Sequence, residues 1–310
     1  MVKAVALDVD GVILKGGKLI NGAEQAIREL SIRNIPFIFI TNGGGMEEAA
    51  KAFELSKKLN TTITADQVLL CHTPFRSLVS KYEKSRILVI GRDECISVAK
   101  NYGFQDVVNP GNIFLQKPNM LPVRKTVSPS QSDDGVAISA AFIFHDSVDW
   151  TLDMQVLSDI LVGFDEKSGK KYQRIPLYAC NADIVYATDF PLPRFTQGAF
   201  VESFRYLFQM YHKIPLEVTY YGKPFEIQYR FAEQMLTQQA AKLGSPQLIT
   251  FYGVGDNPKS DIKGANEAGD HWQSILVRTG LFDGEQNDDE HPANHVCESV
   301  FEAIHYVINA

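Results

Sequence analysis

At 310 residues the chain is long enough for one large domain or two of ordinary size, and 45% hydrophobic with 22% charged residues is the composition of a soluble globular protein. A net charge of -7, with no block rich in Lys or Arg, offers no electrostatic basis for binding nucleic acid or an anionic membrane. The longest apolar runs are strand-sized and broken by Gly, Pro or charge, which argues against a transmembrane helix. Cys71, Cys95, Cys180 and Cys297 lie far apart with no C-x-x-C pair. Neither a zinc site nor a disulfide framework is expected, and buried thiols in a reducing compartment fit best. No signal or transit peptide is read ahead of the first strand, and such a start says little about compartment.

In chain order, the apolar run Ala4 to Asp10 predicts a strand and residues 22–34 a helix. Pro36 to Asn42 is again strand-like, Met46 to Leu59 helical, and "QVLLC" a third strand. Strands alternating with helices predict a doubly wound, Rossmann-like parallel sheet, whose ligands bind beyond the carboxyl ends of the strands. "SRILVIGRDECISVAKNYGF" adds a strand and helix, whereas residues 109–135, rich in Pro, Ser and Asp, read as one long surface loop. Periodicity resumes from Val136 through "GAFVESFRYLFQMYHK". Residues 80–205 therefore look like a separate α/β unit inserted into a first unit made of residues 1–79 and 206–310. The first style returns with "YYGKPF", a helix at "EIQYRFAEQMLTQQAAKL", the strand–turn–helix "LITFYGVGDNPKSDIKGANEAG" and a final strand "SILVRTG". The tail "DGEQNDDEHPANHV" is acidic and expected to be solvated, before a last helix.

Asp8 and Asp10 stand one residue apart at the end of the first strand, where two like charges repel and each loses water. Thr41, Lys223, Asp256 and Asp261 also fall at strand ends or just before helices, so the fold can gather them. A divalent cation would offset repulsion among Asp8, Asp10 and Asp256, and an oxygen-only donor set suits Mg²⁺. Thr41 and Lys223 suit phosphate, and a carboxylate nucleophile can split phosphoryl transfer into two steps. Taken singly, an Asp at a strand end is most often a turn or cap residue; the four ordered motifs together outweigh that reading. "GVGDNP" fails as a dinucleotide-binding turn, since Pro258 breaks the G-x-G-x-x-G spacing. His145, Asp146, Asn181 and Asp183 follow apolar strands of the inserted unit and are candidates for facing the site, while Trp150 and Trp272 read as packing residues.

"DVDGV", "ITN", Lys223 in "YGKP" and "GDNPKSD" match in order the four motifs of the haloacid dehalogenase-like hydrolase superfamily, which nearly the whole chain resembles. The large insert between the second and third motifs is similar to the class with a C2-type cap. "TNGGG", "YGKP", "GDNPKSDIKGANEAG" and "SILVRTG" resemble the subfamily named for the cat eye syndrome critical region, which includes fungal mitochondrial proteins. The resemblance implies Asp8 as nucleophile and Asp10 as general acid and base. It implies Mg²⁺ held by Asp8, the main-chain carbonyl of Asp10 and Asp256, with Asp261 orienting the cluster. Thr41 and Lys223 would bind the phosphoryl group, with backbone amides around Gly11, Asn42 and Gly43 as further donors. A phosphatase of a small phosphorylated metabolite is the expected function, with mitochondrial residence implied by resemblance alone and the cytoplasm as alternative. Two other readings stand beside it: hydrolysis of a phospholipid head-group phosphate such as a phosphatidylglycerophosphate, and a non-catalytic phosphate-binding scaffold. A dehalogenase is disfavoured because Asp10 has no duty when halide leaves. A homo-oligomer is compatible with the sequence.

Overall fold

From Ala4 to Leu7 the strand Val2–Leu7 is apolar on both faces, so neither face can be left to water there. Val5 and Leu7 join one buried cluster, Ala4 and Ala6 another. The same split recurs in Phe37–Thr41, where Phe37 and Phe39 face one way and Ile38 and Ile40 the other. In this computed structural model, which describes residues 2–124, 134–186, 188, 190–244 and 249–310, these strands lie in a six-stranded parallel sheet. Its order is His295–Cys297, Trp272–Val277, Ile249–Gly255, Val2–Leu7, Phe37–Thr41, Val68–Leu70. Helices Ala23–Ile32, Glu48–Leu59 and Val300–Asn309 cover one face; Glu226–Lys242 and Lys263–Glu267 cover the other. The architecture is a doubly wound α/β core.

A second parallel sheet, ordered Val218–Tyr220, Leu177–Ala179, Ala140–Ile143, Arg86–Ile90, Asp106–Val108, forms the inserted unit. It too is buried on both sides: Leu88, Ile90, Ala141 and Ile143 pack with Phe200 and Phe204, while Ile87, Val89 and Phe142 pack with Phe75 and Val98.

Three expectations change. The expected boundary at 205/206 lies inside the helix Gln197–His212, and Val218–Tyr220 beyond it pairs with Leu177–Ala179, so the second sheet runs to residue 220. The expected loop at 109–135 opens with the helix Pro110–Gln116. Asn109 caps it by accepting the Asn112 N–H at 2.8 Å, and Phe114 anchors it in the second core. Residues 125–133 of that loop lie outside the described residues. Finally, "SILVRTG" is not the last strand: His295–Cys297 adds an edge beside Trp272–Val277, with Cys297 buried at 5% exposure. No helix among the described residues is long and apolar enough to cross a membrane.

Candidate active site

The parallel register explains why distant residues meet. Leu7 lies opposite Val254 on one side and Phe39 on the other, so Asp8, Asp256 and Thr41 emerge at one carboxyl edge of the sheet. The Asp8 N–H donates to the Val254 carbonyl at 2.9 Å, which continues the ladder to the reacting position. Lys223 arrives from the other unit, three residues past the strand Val218–Tyr220.

Lys223 Nζ donates to Asp8 Oδ1 at 2.5 Å, to Asp261 Oδ1 at 2.6 Å and to the Ile40 carbonyl at 3.3 Å. Oδ2 of Asp261 accepts the N–H groups of Asp256 (3.2 Å) and Asn257 (3.0 Å), so both its oxygens are engaged. Asp256 Oδ2 accepts the Leu281 N–H at 2.6 Å. Among the described residues no hydrogen bond takes up Oδ2 of Asp8 or Oδ1 of Asp256. Carboxylate oxygens of Asp8, Asp256 and Asp261 lie within 4.8 Å of one another, and all three residues are buried.

Fully ionised, the three carboxylates would leave two negative charges uncompensated, because they share one buried ammonium. Burial lifts the pKa of Asp8 well above its ordinary range; Lys223 opposes that and Asp261 and Asp256 add to it. Asp256 is likewise raised to about 7, by burial first and Asp261 next. Burial would lower Lys223, but Asp261 and Asp8 outweigh it and hold its pKa well above the usual value. A divalent cation among these oxygens would offset the excess negative charge.

Close approach at Asp256 requires missing side chains. A Cβ on Gly280 would sit 1.8 Å from Asp256 Oδ2, and one on Gly11, whose φ is +98°, 2.2 Å from the same atom. Asp10 is the exposed member, in the mouth of the cleft; loss of solvation raises its carboxyl, and Lys51 and Lys223 oppose the rise.

The cleft encloses about 510 Å³ between the two units. Asp8, Asp10, Thr41, Asn42, Gly43, Lys223, Asp256 and Asp261 line it, and so do the four candidates of the inserted unit, His145, Asp146, Asn181 and Asp183. Several polar groups are already committed within the protein. The Gly43 N–H donates to Thr41 Oγ1 at 2.8 Å and the Gly11 N–H to the Leu14 carbonyl at 2.6 Å, so neither amide is free for a phosphate. The Asn42 side chain is divided between Lys223 and Asp183. Asp146 Oδ1 accepts from Thr196 at 2.8 Å. His145 Nδ1 is buried without a partner among the described residues.

Sequence reasoning missed Arg92, Tyr186 and Phe190, which line the same cleft, and Tyr229, whose hydroxyl donates to the Asp261 carbonyl at 2.9 Å. "VIGRD" carried a signal for Arg92, a charged residue just after a strand-ending glycine; nothing local marks Tyr229, which acts across the fold.

The family model of haloacid dehalogenase-like hydrolases matches residues 5–105, and a second, HAD-hydrolase-like model matches residues 220–303. A mitochondrial hydrolase of Saccharomyces cerevisiae is 34% identical over 97% of this chain and 94% of its own length. A cardiolipin synthase (CMP-forming)/mitochondrial hydrolase fusion protein of Schizosaccharomyces pombe is 35% identical over 97% of this chain, which spans only 52% of that longer protein. The p-nitrophenyl phosphatase of Archaeoglobus fulgidus shares the fold, with a TM-score of 0.68 and 16% identity over 99% of this chain and 100% of its own. By sequence along nearly its whole length, the chain belongs to the haloacid dehalogenase-like hydrolases.

Proposed function

We propose that the protein is a Mg²⁺-dependent phosphomonoesterase that acts on a small phosphorylated metabolite through an aspartyl-phosphate at Asp8. The observation that carries this reading is the buried Lys223–Asp8–Asp261 array beside Asp256, two positive charges short, at the floor of a 510 Å³ cleft. Asp8, Asp256 and the main-chain carbonyl of Asp10 would hold Mg²⁺, and Asp261, with both oxygens occupied, would orient the set. When bound, the ion supplies charge compensation for the carboxylates and the phosphoryl oxygens.

Oδ2 of Asp8 attacks phosphorus; its O–P bond forms as the ester P–O bond breaks. Asp10 gives its proton to the departing alkoxide. It then takes a proton from the water that attacks phosphorus and releases Asp8 and phosphate. The Thr41 hydroxyl, which already accepts from Gly43, turns its own proton to a phosphoryl oxygen, and the Lys223 ammonium stays beside the reacting group. Residues 80–220 act as the cap that closes the cleft. Relatives named as mitochondrial hydrolases support mitochondrial residence.

A second reading, hydrolysis of a phospholipid head-group phosphate, is favoured by Phe190, Leu192 and Phe195. These are 55–67% exposed, and Phe190 lines the cleft. The relative fused to a cardiolipin synthase supports it too. Phosphate release with Mg²⁺ is measured from p-nitrophenyl phosphate, sugar phosphates, glycerol 3-phosphate and phosphatidylglycerophosphate vesicles. Release from soluble esters supports the first reading and release from vesicles alone the second. Release from none returns the scaffold reading.

A further inference from the structure

We infer that Asp183 is a positioning residue of the capping unit that acts through Asn42 on Lys223, so that the Lys223–Asp8 pair is fully assembled only with the cap seated. The inference rests on the phosphatase reading for its kinetic consequence, but its geometry stands independently.

The Asn42 side chain is the junction. Its Nδ2 donates to Asp183 Oδ2 at 2.8 Å and to the Lys223 carbonyl at 3.0 Å, while its Oδ1 accepts the Lys223 N–H at 2.8 Å. These partners fix the amide orientation: a carboxylate and a carbonyl require the NH₂ side, and a backbone N–H requires the oxygen. Asn42 thereby clasps both main-chain polar groups of the residue whose ammonium meets Asp8. The bond to Asp183 ties that clasp to the inserted unit's own turn, and Asn181 of the same turn adds a longer tie to the Asn42 main chain.

Asp183 is held rigidly. Its N–H donates to Asn181 Oδ1 at 2.8 Å, and Asn181 Nδ2 reaches the Asn42 carbonyl at 3.3 Å. Gln197 Oε1 accepts the N–H groups of Cys180 and Asn181 at 2.9 and 3.0 Å. The helix begun by Gln197 presses on this turn so closely that a Cβ on Gly198 would lie 2.3 Å from the Ala182 carbonyl oxygen. Gly222, at φ +81°, passes equally close: its Cβ would lie 2.1 Å from the Cys180 carbonyl oxygen and 3.0 Å from Asn42 Oδ1. The segment leading to Lys223, the cap turn and the second-motif asparagine are thus one packed unit. The carboxylate–amide bond is part-buried, and a charge-assisted hydrogen bond gains strength as competing water is partly excluded. A substrate-selecting Asp183 would instead spend its bonding on the ligand, whereas here one oxygen is already committed to Asn42.

The test compares Asp183→Ala with Asp183→Asn, which keeps an acceptor oxygen, in the full chain. Steady-state kinetics on p-nitrophenyl phosphate, glycerol 3-phosphate and glucose 6-phosphate should show Asp183→Ala losing about tenfold in kcat, alike for all three, with KM ratios unchanged. Asp183→Asn should recover most of the loss. Without any substrate, iodoacetamide alkylation of Cys71, read by peptide mass, reports cap seating, because Cys71 lines the cleft with its Sγ 3.2 Å from Cys180 Sγ of the cap. Asp183→Ala should label severalfold faster than wild type, and Asp183→Asn at near the wild-type rate. Wild-type labelling in Asp183→Ala, an unchanged kcat, or KM effects that differ among the esters would overturn the inference, the last by making Asp183 a substrate contact. If the wild-type protein hydrolyses no ester, the phosphatase reading falls and the labelling rates still decide the coupling. Should Asp183→Ala not fold, Asp183→Ser, too short to reach Asn42, carries the same expectations.

Discussion

Asp8 and Asp10 differ by two residues and by almost everything else that matters to a carboxylate. Asp8 is buried at 5% exposure and bonded to Lys223; Asp10 is open to the cleft. In the proposed mechanism the buried acid bonds phosphorus, and the open one exchanges protons with water and leaving group. Asp8→Asn keeps the shape and removes the nucleophile, so turnover of p-nitrophenyl phosphate should fall at least about a thousandfold with the melting temperature retained. Near-wild-type turnover would exclude Asp8 as the attacking group. Asp10→Ala should cost about a hundredfold or more with an alkyl ester but clearly less with p-nitrophenyl phosphate, whose leaving group needs little protonation. Equal losses on both esters would remove the acid role.

At the scale of elements, the loop after Ile249–Gly255 shows how much support one acid needs. The turn Pro258–Ile262 places Asp261, Tyr229 from the helix Glu226–Lys242 holds its carbonyl, and Gly264 leaves room for the Tyr229 ring, which would lie 2.3 Å from a Cβ there. The helix Trp150–Leu161 carries a different tension. Asp153 on it is 5% exposed, and burial raises its pKa to about 6, with Ser147 and then Arg124 pulling the other way. Its native pKa exceeds the unfolded value of 3.8, so the native state binds the extra proton between these values and stability falls as pH rises from about 4 to 6. The shift corresponds to a cost of about 3 kcal/mol at pH 7. Asp153→Asn should stabilise the protein at pH 7 by up to that amount and by little at pH 4. Urea unfolding at both pH values measures it, and an equal effect at the two would contradict the burial argument.

For the whole molecule, the Mg²⁺ site proposed in the acid cluster at the junction of two units carries a consequence for stability. Mg²⁺ binding to the native cluster but not to the unfolded chain should raise the melting temperature by several degrees, reversed by chelator. Asp256→Asn should blunt the response, and an unresponsive wild-type melting curve would rule out the site. This readout requires no substrate. The same junction supplies the cleft: neither unit alone contains both Asp8 and the turn Asn181 to Asp183.

Sequence alone determined the parts that rest on local chemistry. Apolar alternation on both strand faces dictated a doubly buried parallel sheet, and strand-end Asp8, Thr41 and Asp256 followed from where such sheets leave residues exposed to a ligand. Lys223 was legible from its Gly–Lys–Pro setting. Tertiary structure decided the rest, because those choices depend on partners far away in the chain. Polar composition at 109–135 hid a helix whose Phe114 is rewarded only by the second core, and the edge strand His295–Cys297 exists only because Trp272–Val277 offers it a ladder. The Asn42 side chain is drawn to Lys223 and Asp183, residues 181 and 141 positions away, a role that nothing local in the sequence marks. A hydrogen bond is awarded to whichever group comes within 3 Å, and only the folded chain sets that distance.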